Sequence, residues 1–392
     1  MQIHNRSIDY DHPPYIIAEI GVNHDGDLDR CLALTQLAHD AGADAVKFQL
    51  FDADLLMSAS SRLATYQREA GESDPREMLR RLQLSSEQLA RAAAEARRLG
   101  VHAIVSVFSV ELVARAEMAN FDAYKTASPD IVHKPLLDAL RATGKPLIVS
   151  TGAATLAEVS RAITWLTREG TNPSTRDLAL LQCVSSYPTP IENAALGGIM
   201  ALRDLFAGPV GYSDHTAEDS AGALAVACGA CILEKHFTDD RARIGPDHRA
   251  SLDAHGFKNY IKHARRAWQV LREHRAENRL EDRGTRDLNP EAAALIAHAS
   301  QVRKEKIVLE IEQDVRAVSR QSIVTRHPLA AGHVLTRADV TFKRPGLGLL
   351  PFELESALGR TLVRAIDADT PIHGQDLDKD LAESLAKDHA PR

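Results

Sequence analysis

Between residues 15 and 237, short apolar runs alternate with amphipathic, alanine-rich stretches. The runs are YIIAEIG (15–21), AVKFQLF (45–51), VHAIVSVF (101–108), AYKTA (123–127), PLIVSTG (146–152), LALLQCV (178–184), PVGYSDH (209–215) and CILEKHF (231–237). Their length and near-continuous apolarity predict strands buried on both faces. Helical spacing fills the gaps at 28–41, 85–99, 110–119, 134–143, 156–168 and 218–228. Ser85 opens its helix as an N-cap, with Gln88 three residues on to complete a capping box. Gly42, Gly100, Gly144 and Gly229 stand just before the next strand, where a helix ends in the left-handed conformation. Eight strand–helix alternations predict an α/β fold of the closed (β/α)₈, or TIM-barrel, type. The stretch between the second and third runs is rich in Ser, Arg and Glu. It reads as a long loop plus helix over the barrel mouth.

A closing helix over 257–275 ends the first domain, 1–275. Residues 276–318 form a charged linker with a break at ENRLEDRGTRDLNP and further helix over 291–311; its charges read as a solvated surface face. From Ser319 short β-type runs and turn signals at AAGH and RPGLG replace helical spacing. Residues 319–380 predict a small β-rich module that needs a docking surface for stability. The tail, 381–392, is expected to fray.

Composition narrows the function. The 392 residues carry 47 basic and 54 acidic side chains, a net charge of −7, which disfavours nucleic-acid binding. No apolar run reaches the ~20 residues that cross a bilayer, and the polar start MQIHNRSIDYDHPP lacks a signal-peptide core. A cytoplasmic protein with no membrane association is expected. Cys228 and Cys231 form a CxxC without a second pair, at a helix-to-strand handover, and read with Cys31 and Cys183 as small buried residues. Only 12 of the 47 basic residues are lysine, so a lysine at a strand end carries weight.

The stretch Gly211 to Asp253 concentrates the chemistry. His215 and His236 each follow an apolar run, and the intervening helix makes a strand–helix–strand unit that places both imidazoles at one end of the sheet. Asp214, Asp239 and Asp247 lie nearby. Two histidines with few carboxylates suit a divalent metal that keeps positions open for substrate. The other strand ends add Glu19 with Asn23 and His24, Lys47 with Gln49, Ser106, Lys125 with Ser128 and Asp130, Ser150 with Thr151, Ser185 with Tyr187, Ser213, and Lys235. Lysines and hydroxyls together suit a small anion bearing phosphate and carboxylate. Glu19 is placed to act as base. A Schiff-base lysine aldolase would leave the histidine pair unexplained.

The motifs AEIGVNHDGDLD, DAVKFQLF, YKTAS, IVSTGAATL, CVSSYPTP, VGYSDHT, EKHFT and GPDHRASLD together resemble the sialic acid (nonulosonic acid) synthase family. SIVTRHPLAAGHVLTRADVTFKRPGLGL resembles its antifreeze-like, or SAF, module. The resemblance implies metal-dependent condensation of phosphoenolpyruvate with the open-chain aldehyde of a hexosamine-type sugar, such as N-acetylmannosamine, releasing phosphate. It implies His215 and His236 as ligands of Mn²⁺ or Mg²⁺. Lys47, Lys125, Ser128, Ser150, Ser185 and Ser213 would hold phosphoenolpyruvate, and Glu19, Gln49, Tyr187 and Asp247 would line the reacting centre. It also implies a domain-swapped homodimer in which Arg344 reaches the sugar's acyl group from the partner's SAF module. The chain departs from the family pattern at Gln182 (usually His), at Val107 (usually Thr, a hydroxyl near the anion) and at Pro129-Asp130 (usually Gly-Glu). Ser185 stands where some members carry Asn. A pyruvate-using metal-dependent barrel aldolase and a non-catalytic carbohydrate-binding protein are the competing readings.

Overall fold

The computed structural model describes residues 1–167, 177–280 and 289–378. Eight parallel strands close into a barrel: β1 (Tyr15–Gly21), β2 (Ala45–Leu50), β3 (His102–Val107), β4 (Ala123–Thr126), β5 (Leu147–Ser150), β6 (Leu178–Cys183), β7 (Val210–Asp214) and β8 (Ile232–His236). Pairing of β8 with β1 closes the ring. All eight coincide with the apolar runs of the sequence.

Alternation along each strand sorts side chains into two cores. Ile16, Val46, Val105, Val149 and Leu233 face outward and pack beneath the helices. Ile17, Ala45, Ile104, Ile148, Ala179 and Ile232 fill the barrel's lower end together with Ile3 and Ile8. The last two flank and enter a short antiparallel pair, Gln2–Ile3 with Arg6–Ser7. This apolar plug leaves only the C-terminal ends of the strands for polar groups.

Helix α1 (Leu28–Ala41) follows β1. After β2 come α2 (Ala53–Leu56), α3 (Thr65–Glu69) and α4 (Pro75–Leu82), which form the expected cover of the mouth, and then α5 (Ser86–Leu99). Ser85 and Gln88 do make the capping box. The remaining barrel helices are α6 (Val113–Met118), α7 (Lys134–Ala142), α8 (Leu156–Leu166), α9 (Gly197–Leu205), α10 (Ala221–Ala227) and α11 (Ala254–Leu280). Helix α10 is shorter than its sequence spacing suggested, and α11 is longer at both ends. Residue 168 lies outside the described residues. Cys31, Cys183, Cys228 and Cys231 are free and buried.

The linker differs from its expected form. Helix α12 (Pro290–Gln301) stops well short of 311, and residues 302–309 lead without regular secondary structure toward α13 (Gln313–Ser319). This strap presses its backbone on α9: a Cβ on Gly197 would come within 1.8 Å of the Arg303 carbonyl oxygen. Nor do all its charges face solvent. Lys306 and Glu312 are buried, and Arg316 and Arg320 both donate to Glu158. Residues 281–288 of the linker, and the tail 381–392, lie outside the described residues.

The SAF module pairs β9 (Ser322–Thr325) with β10 (Val340–Lys343), antiparallel, around Ile323, Leu335, Phe342, Leu349 and Ile372. It docks on the barrel of its own chain. Gln321 Nε2 donates to the Phe108 carbonyl (2.9 Å) and to Asp130 Oδ1 (3.2 Å), Arg326 pairs with Glu111, and the His133 ring abuts Phe342. Arg344 lines the mouth of the cavity; its N–H donates to Leu56 O, and its carbonyl accepts from Ser58 and Ser61. Among the described residues no helix is long and apolar enough to cross a membrane.

Candidate active site

Strand register assembles the site. Glu19 on β1 lies level with Lys47 on β2 and with His236 on β8. Ser106 on β3 lies level with Gln49 and Lys125, and Ser213 on β7 with Cys183 and Glu234. Apart from Cys183, these side chains line one cavity above the apolar plug, together with the loops after the strands.

Its floor is a buried charge network. Lys47 Nζ sits 2.6 Å from Glu19 Oε2, 3.6 Å from Glu234 Oε1, and 3.1 Å from Ser106 Oγ, to which it donates. Lys125 Nζ lies 3.2 Å from Glu234 Oε1, which also accepts from Ser213 Oγ at 3.0 Å. Gln49 Nε2 donates to Glu19 Oε1 at 2.7 Å. Isolated charges at this depth would not survive, so the network exists only because it is paired. Burial opposes the charge on Glu234, but Lys125 and Lys47 outweigh it and draw its pKa to about 2. Burial likewise opposes the Lys47 ammonium, yet Glu19 and Glu234 hold its pKa above the usual value. Glu19 is pushed upward by burial, only partly offset by Lys47. Lys125 is lowered by burial despite Glu234.

Above this floor the hydroxyls gather. The side-chain oxygens of Ser150 and Ser185 are buried with no hydrogen-bond partner among the described residues, and Ser128 Oγ accepts from Gly152 N–H at 3.0 Å. Gly152 is required by space: a Cβ there would lie 2.4 Å from Ser185 Oγ and 2.7 Å from Ser128 Oγ. Gly21, at φ +56°, plays the same part beside Glu19 and Gln49. Glu312 pins this wall from behind by accepting from the backbone N–H groups of Ala153 (2.6 Å) and Ser185 (2.8 Å).

The two imidazoles face one another, ring centres 5.5 Å apart. Burial lowers the His215 pKa to about 3 and holds His236 well below its usual value, so both are neutral. His215 Nδ1 donates to the Val184 carbonyl at 2.7 Å, which leaves Nε2 as the lone-pair nitrogen, the arrangement seen in metal-ligating histidines. His236 Nδ1 is buried without a hydrogen-bond partner among the described residues, 3.6 Å from Asp247 Oδ2. Burial, then Glu19, raises the Asp247 pKa to about 7. Among the described residues no group of three or more His, Cys, Asp or Glu is positioned to hold a metal. Two facing imidazoles, with the Nε2 lone pair of His215 left over from its Nδ1 bond to Val184, are donors of the kind a divalent ion takes. Tyr187 stacks over His215, centroids 4.0 Å apart, and Tyr66 stacks over Tyr187 at 4.9 Å.

Of the residues expected at the site, Glu19, Lys47, Gln49, Lys125, Ser128, Ser150, Ser185, Tyr187, Ser213, His215, His236, Asp247 and Arg344 line this cavity. Asp130 lies behind it, buried against Gln321, with burial raising its pKa to about 7. Lys235, read as part of the mouth, points the other way, because it alternates with Glu234 and His236. Its ammonium pairs with Asp214 (3.1 Å) and lies over the Tyr260 ring. Asp214 thus leaves the histidine pair, and Asp239 binds Arg30 and Arg243 instead. Asn23 ties the loop after β1 to Phe237 and Ser251, and Thr151 bonds the Leu181 carbonyl. Val107 belongs to the helix-facing core and Gln182 bonds the Ala195 carbonyl, so neither departure alters the cavity. Sequence reasoning passed over Glu234, although strand alternation from His236 marks it as inward. It also passed over Tyr66, Gln67 and Glu312, whose long-range placement leaves no local signal.

Comparison with known proteins agrees with this arrangement. Residues 34–276 match the NeuB family and residues 320–378 the SAF domain. The chain is 35% identical over 360 residues to the N,N'-diacetyllegionaminic acid synthase of Legionella pneumophila, covering 91% of this chain and 93% of that one. It superposes on the crystal structure of the Bacillus subtilis spore coat polysaccharide biosynthesis protein spsE with a TM-score of 0.77 and 29% identity. That match covers 97% of this chain and 99% of the other. The N-acetylneuraminic acid synthetase of Leptospira borgpetersenii superposes with a TM-score of 0.62 and 26% identity, over 78% and 98% of the two chains. An enclosed pair of neutral imidazoles above a lysine–glutamate floor, on a barrel that matches over most of its length, leads to one conclusion: the chain belongs to the NeuB family.

Proposed function

We propose that this protein condenses phosphoenolpyruvate with the open-chain aldehyde of a hexosamine-type sugar, giving a nonulosonic, sialic-type acid and inorganic phosphate. The observation that carries this reading is the cavity floor: two lysines and several inward hydroxyls, two of them buried without partners among the described residues, opposite two neutral imidazoles. Lys47, Lys125 and the hydroxyls of Ser128, Ser150, Ser185 and Ser213 hold the phosphate and carboxylate of phosphoenolpyruvate. His215 and His236 would hold a divalent ion, manganese or magnesium, which when bound supplies a Lewis acid for the aldehyde oxygen.

The methylene carbon of phosphoenolpyruvate attacks the aldehyde carbon, forming the new C–C bond, and the aldehyde oxygen takes up a proton. The cation left at the phosphate-bearing carbon is stabilised by the carboxylates nearby and is caught by water. Glu19, steered by Lys47 and Gln49, takes a proton from that water. Collapse of the tetrahedral adduct breaks the bond between carbon and the phosphate ester oxygen as the adduct's hydroxyl proton passes to the departing phosphate, leaving a ketone; the proton taken by Glu19 balances the one gained by the aldehyde oxygen. Tyr187 and Asp247 line the reacting centre, and the Arg344 guanidinium meets the acyl group of the sugar.

The test is phosphate release, measured with phosphoenolpyruvate and an aldose together, with each alone, with pyruvate in place of phosphoenolpyruvate, and after chelation. Release only with both substrates, lost on chelation and restored by Mn²⁺, is expected. His215→Ala should lose activity at least about 100-fold with an unchanged circular dichroism spectrum. Turnover of pyruvate but not phosphoenolpyruvate would replace this reading with that of an aldolase.

A further inference from the structure

The turn after β5 carries part of the hydroxyl wall and does not hold its shape alone. Ser150 ends the strand, Gly152 gives its N–H to Ser128 Oγ (3.0 Å), and Ala153 stands at φ +49°, in the left-handed region. A residue with a side chain persists there only when its surroundings hold it. The other part of the wall, Ser185, comes from the loop after β6.

One side chain bridges these two loops. Glu312 is 1% exposed, and its Oε1 accepts from the N–H groups of Ala153 (2.6 Å) and Ser185 (2.8 Å). Its Oε2 accepts from Leu309 N–H at 2.9 Å, which ties the carboxylate to its own segment. The same segment takes the other side of Ala153. The Ala153 carbonyl accepts from Arg316 and, at 3.3 Å, from Arg320, and both guanidiniums pair with Glu158 in the first turn of α8. Ala153 is thus gripped at N–H and at carbonyl by residues at the junction of linker and SAF module.

A carboxylate close behind an anion site would repel the ligand if it stood alone. The Glu312 carboxylate is instead spent on three N–H groups. Lys306 is buried on the same strap; burial lowers its pKa, and Glu312 is the foremost charge opposing that fall. None of Lys306, Glu312, Arg316 and Arg320 lines the cavity. Their effect on a ligand therefore runs through the backbone they hold.

We infer that Glu312 is a positioning residue for phosphoenolpyruvate: by bridging the Ala153 and Ser185 N–H groups it fixes the Ser150 and Ser185 hydroxyls at one spacing. Arg316 and Arg320 steady the same turn from its carbonyl side. This rests on the proposed condensation, in which that wall takes the anion. Without the carboxylate, two backbone N–H groups are left buried and unpaired, so the loops move apart or admit water. A displacement of about 1 Å in such a wall costs up to about 100-fold. By reciprocity, phosphoenolpyruvate tightens the hold of residues 303–320 on the barrel.

The experiment titrates phosphoenolpyruvate calorimetrically into the full-length, Mn²⁺-loaded parent protein, Glu312→Ala and Glu312→Gln, and measures steady-state phosphate release with the aldose that the parent turns over. Glu312→Ala should weaken phosphoenolpyruvate binding about 10- to 100-fold and raise its KM in step, with kcat and KM for the aldose within about threefold of the parent. Glu312→Gln, whose amide oxygen still accepts from both N–H groups, should return binding to within about fivefold. Hydrogen exchange over 303–320 should slow on adding phosphoenolpyruvate to the parent protein and not to Glu312→Ala. A folded Glu312→Ala that binds phosphoenolpyruvate as the parent does overturns the inference and leaves the condensation standing. An equal loss in both variants, or a loss spread over kcat and both KM values, overturns the bridging role. Should Glu312→Ala fail to fold, Arg316→Ala, at a partly exposed side chain, takes its place: binding at least about threefold weaker is expected, and unchanged binding overturns the inference. A parent protein that binds no phosphoenolpyruvate overturns the condensation itself, and this role with it.

Discussion

Replacing Glu234 by Gln keeps the shape of the cavity floor and removes one charge. The carboxylate oxygen lies 3.2 Å from Lys125 Nζ and 3.6 Å from Lys47 Nζ, with Ser213 donating from 3.0 Å. At an effective dielectric of about 20, each ion pair is worth roughly 5 kcal/mol of direct attraction, most of it cancelled by desolvation. Removing one partner from a buried pair costs on the order of 3 kcal/mol, and Lys125 and Lys47, which draw the Glu234 pKa down against burial, give that cost its sign. Because the folded pKa is depressed, this contribution is fully present above about pH 4.5 and is lost as pH falls toward 2. Glu234→Gln should therefore cost about 3 kcal/mol in urea unfolding at pH 7, and the deficit should narrow at pH 3.5. Inorganic phosphate should stabilise the variant more than the parent protein, because an anion restores the missing negative charge beside Lys47 and Lys125. A variant within about 0.5 kcal/mol of the parent at pH 7, or one indifferent to phosphate, refutes the view that Glu234 neutralises the floor.

Three further outcomes are expected. Gly152→Ala should raise KM for phosphoenolpyruvate about tenfold or more with the fold retained, since its Cβ would sit 2.4 Å from Ser185 Oγ; an unchanged KM places the anion elsewhere. Asp130 has a pKa raised to about 7 by burial, so its ionisation costs stability as pH rises from about 4 to 7, and Asp130→Asn should gain up to about 4 kcal/mol above pH 7 and nothing at pH 4. Urea titrations at the two pH values check this, and a less stable variant at pH 8 would contradict it. Arg344 lines the cavity, so Arg344→Ala should lower kcat/KM for an acylated aldose about tenfold or more with KM for phosphoenolpyruvate unchanged; an unaltered kcat/KM would remove Arg344 from the acceptor site.

How much of this was legible beforehand differs from one residue to another. The eight apolar runs, the capping box at Ser85 and the glycines at 42, 100, 144 and 229 are local patterns, and the structure repeats them. Lys235 was misplaced and Glu234 missed for one reason: both sit in the same run, and period-two alternation decides between them only once His236 is known to face inward. The linker misled because charge normally marks solvent, whereas Glu312 is drawn inside by two backbone N–H groups more than a hundred residues away.

The sequence by itself determined the barrel, the SAF module and the set of side chains at the strand ends, because periodicity, caps and turn residues act over a few positions. The folded structure decided which of those side chains face one another, and that Glu19 and Glu234 together neutralise the two lysines. Those facts depend on register between strands and on loops that meet from distant parts of the chain. Burial in that shared space, rather than any local preference, sets both the charge state of each group and the kind of ligand it can accept.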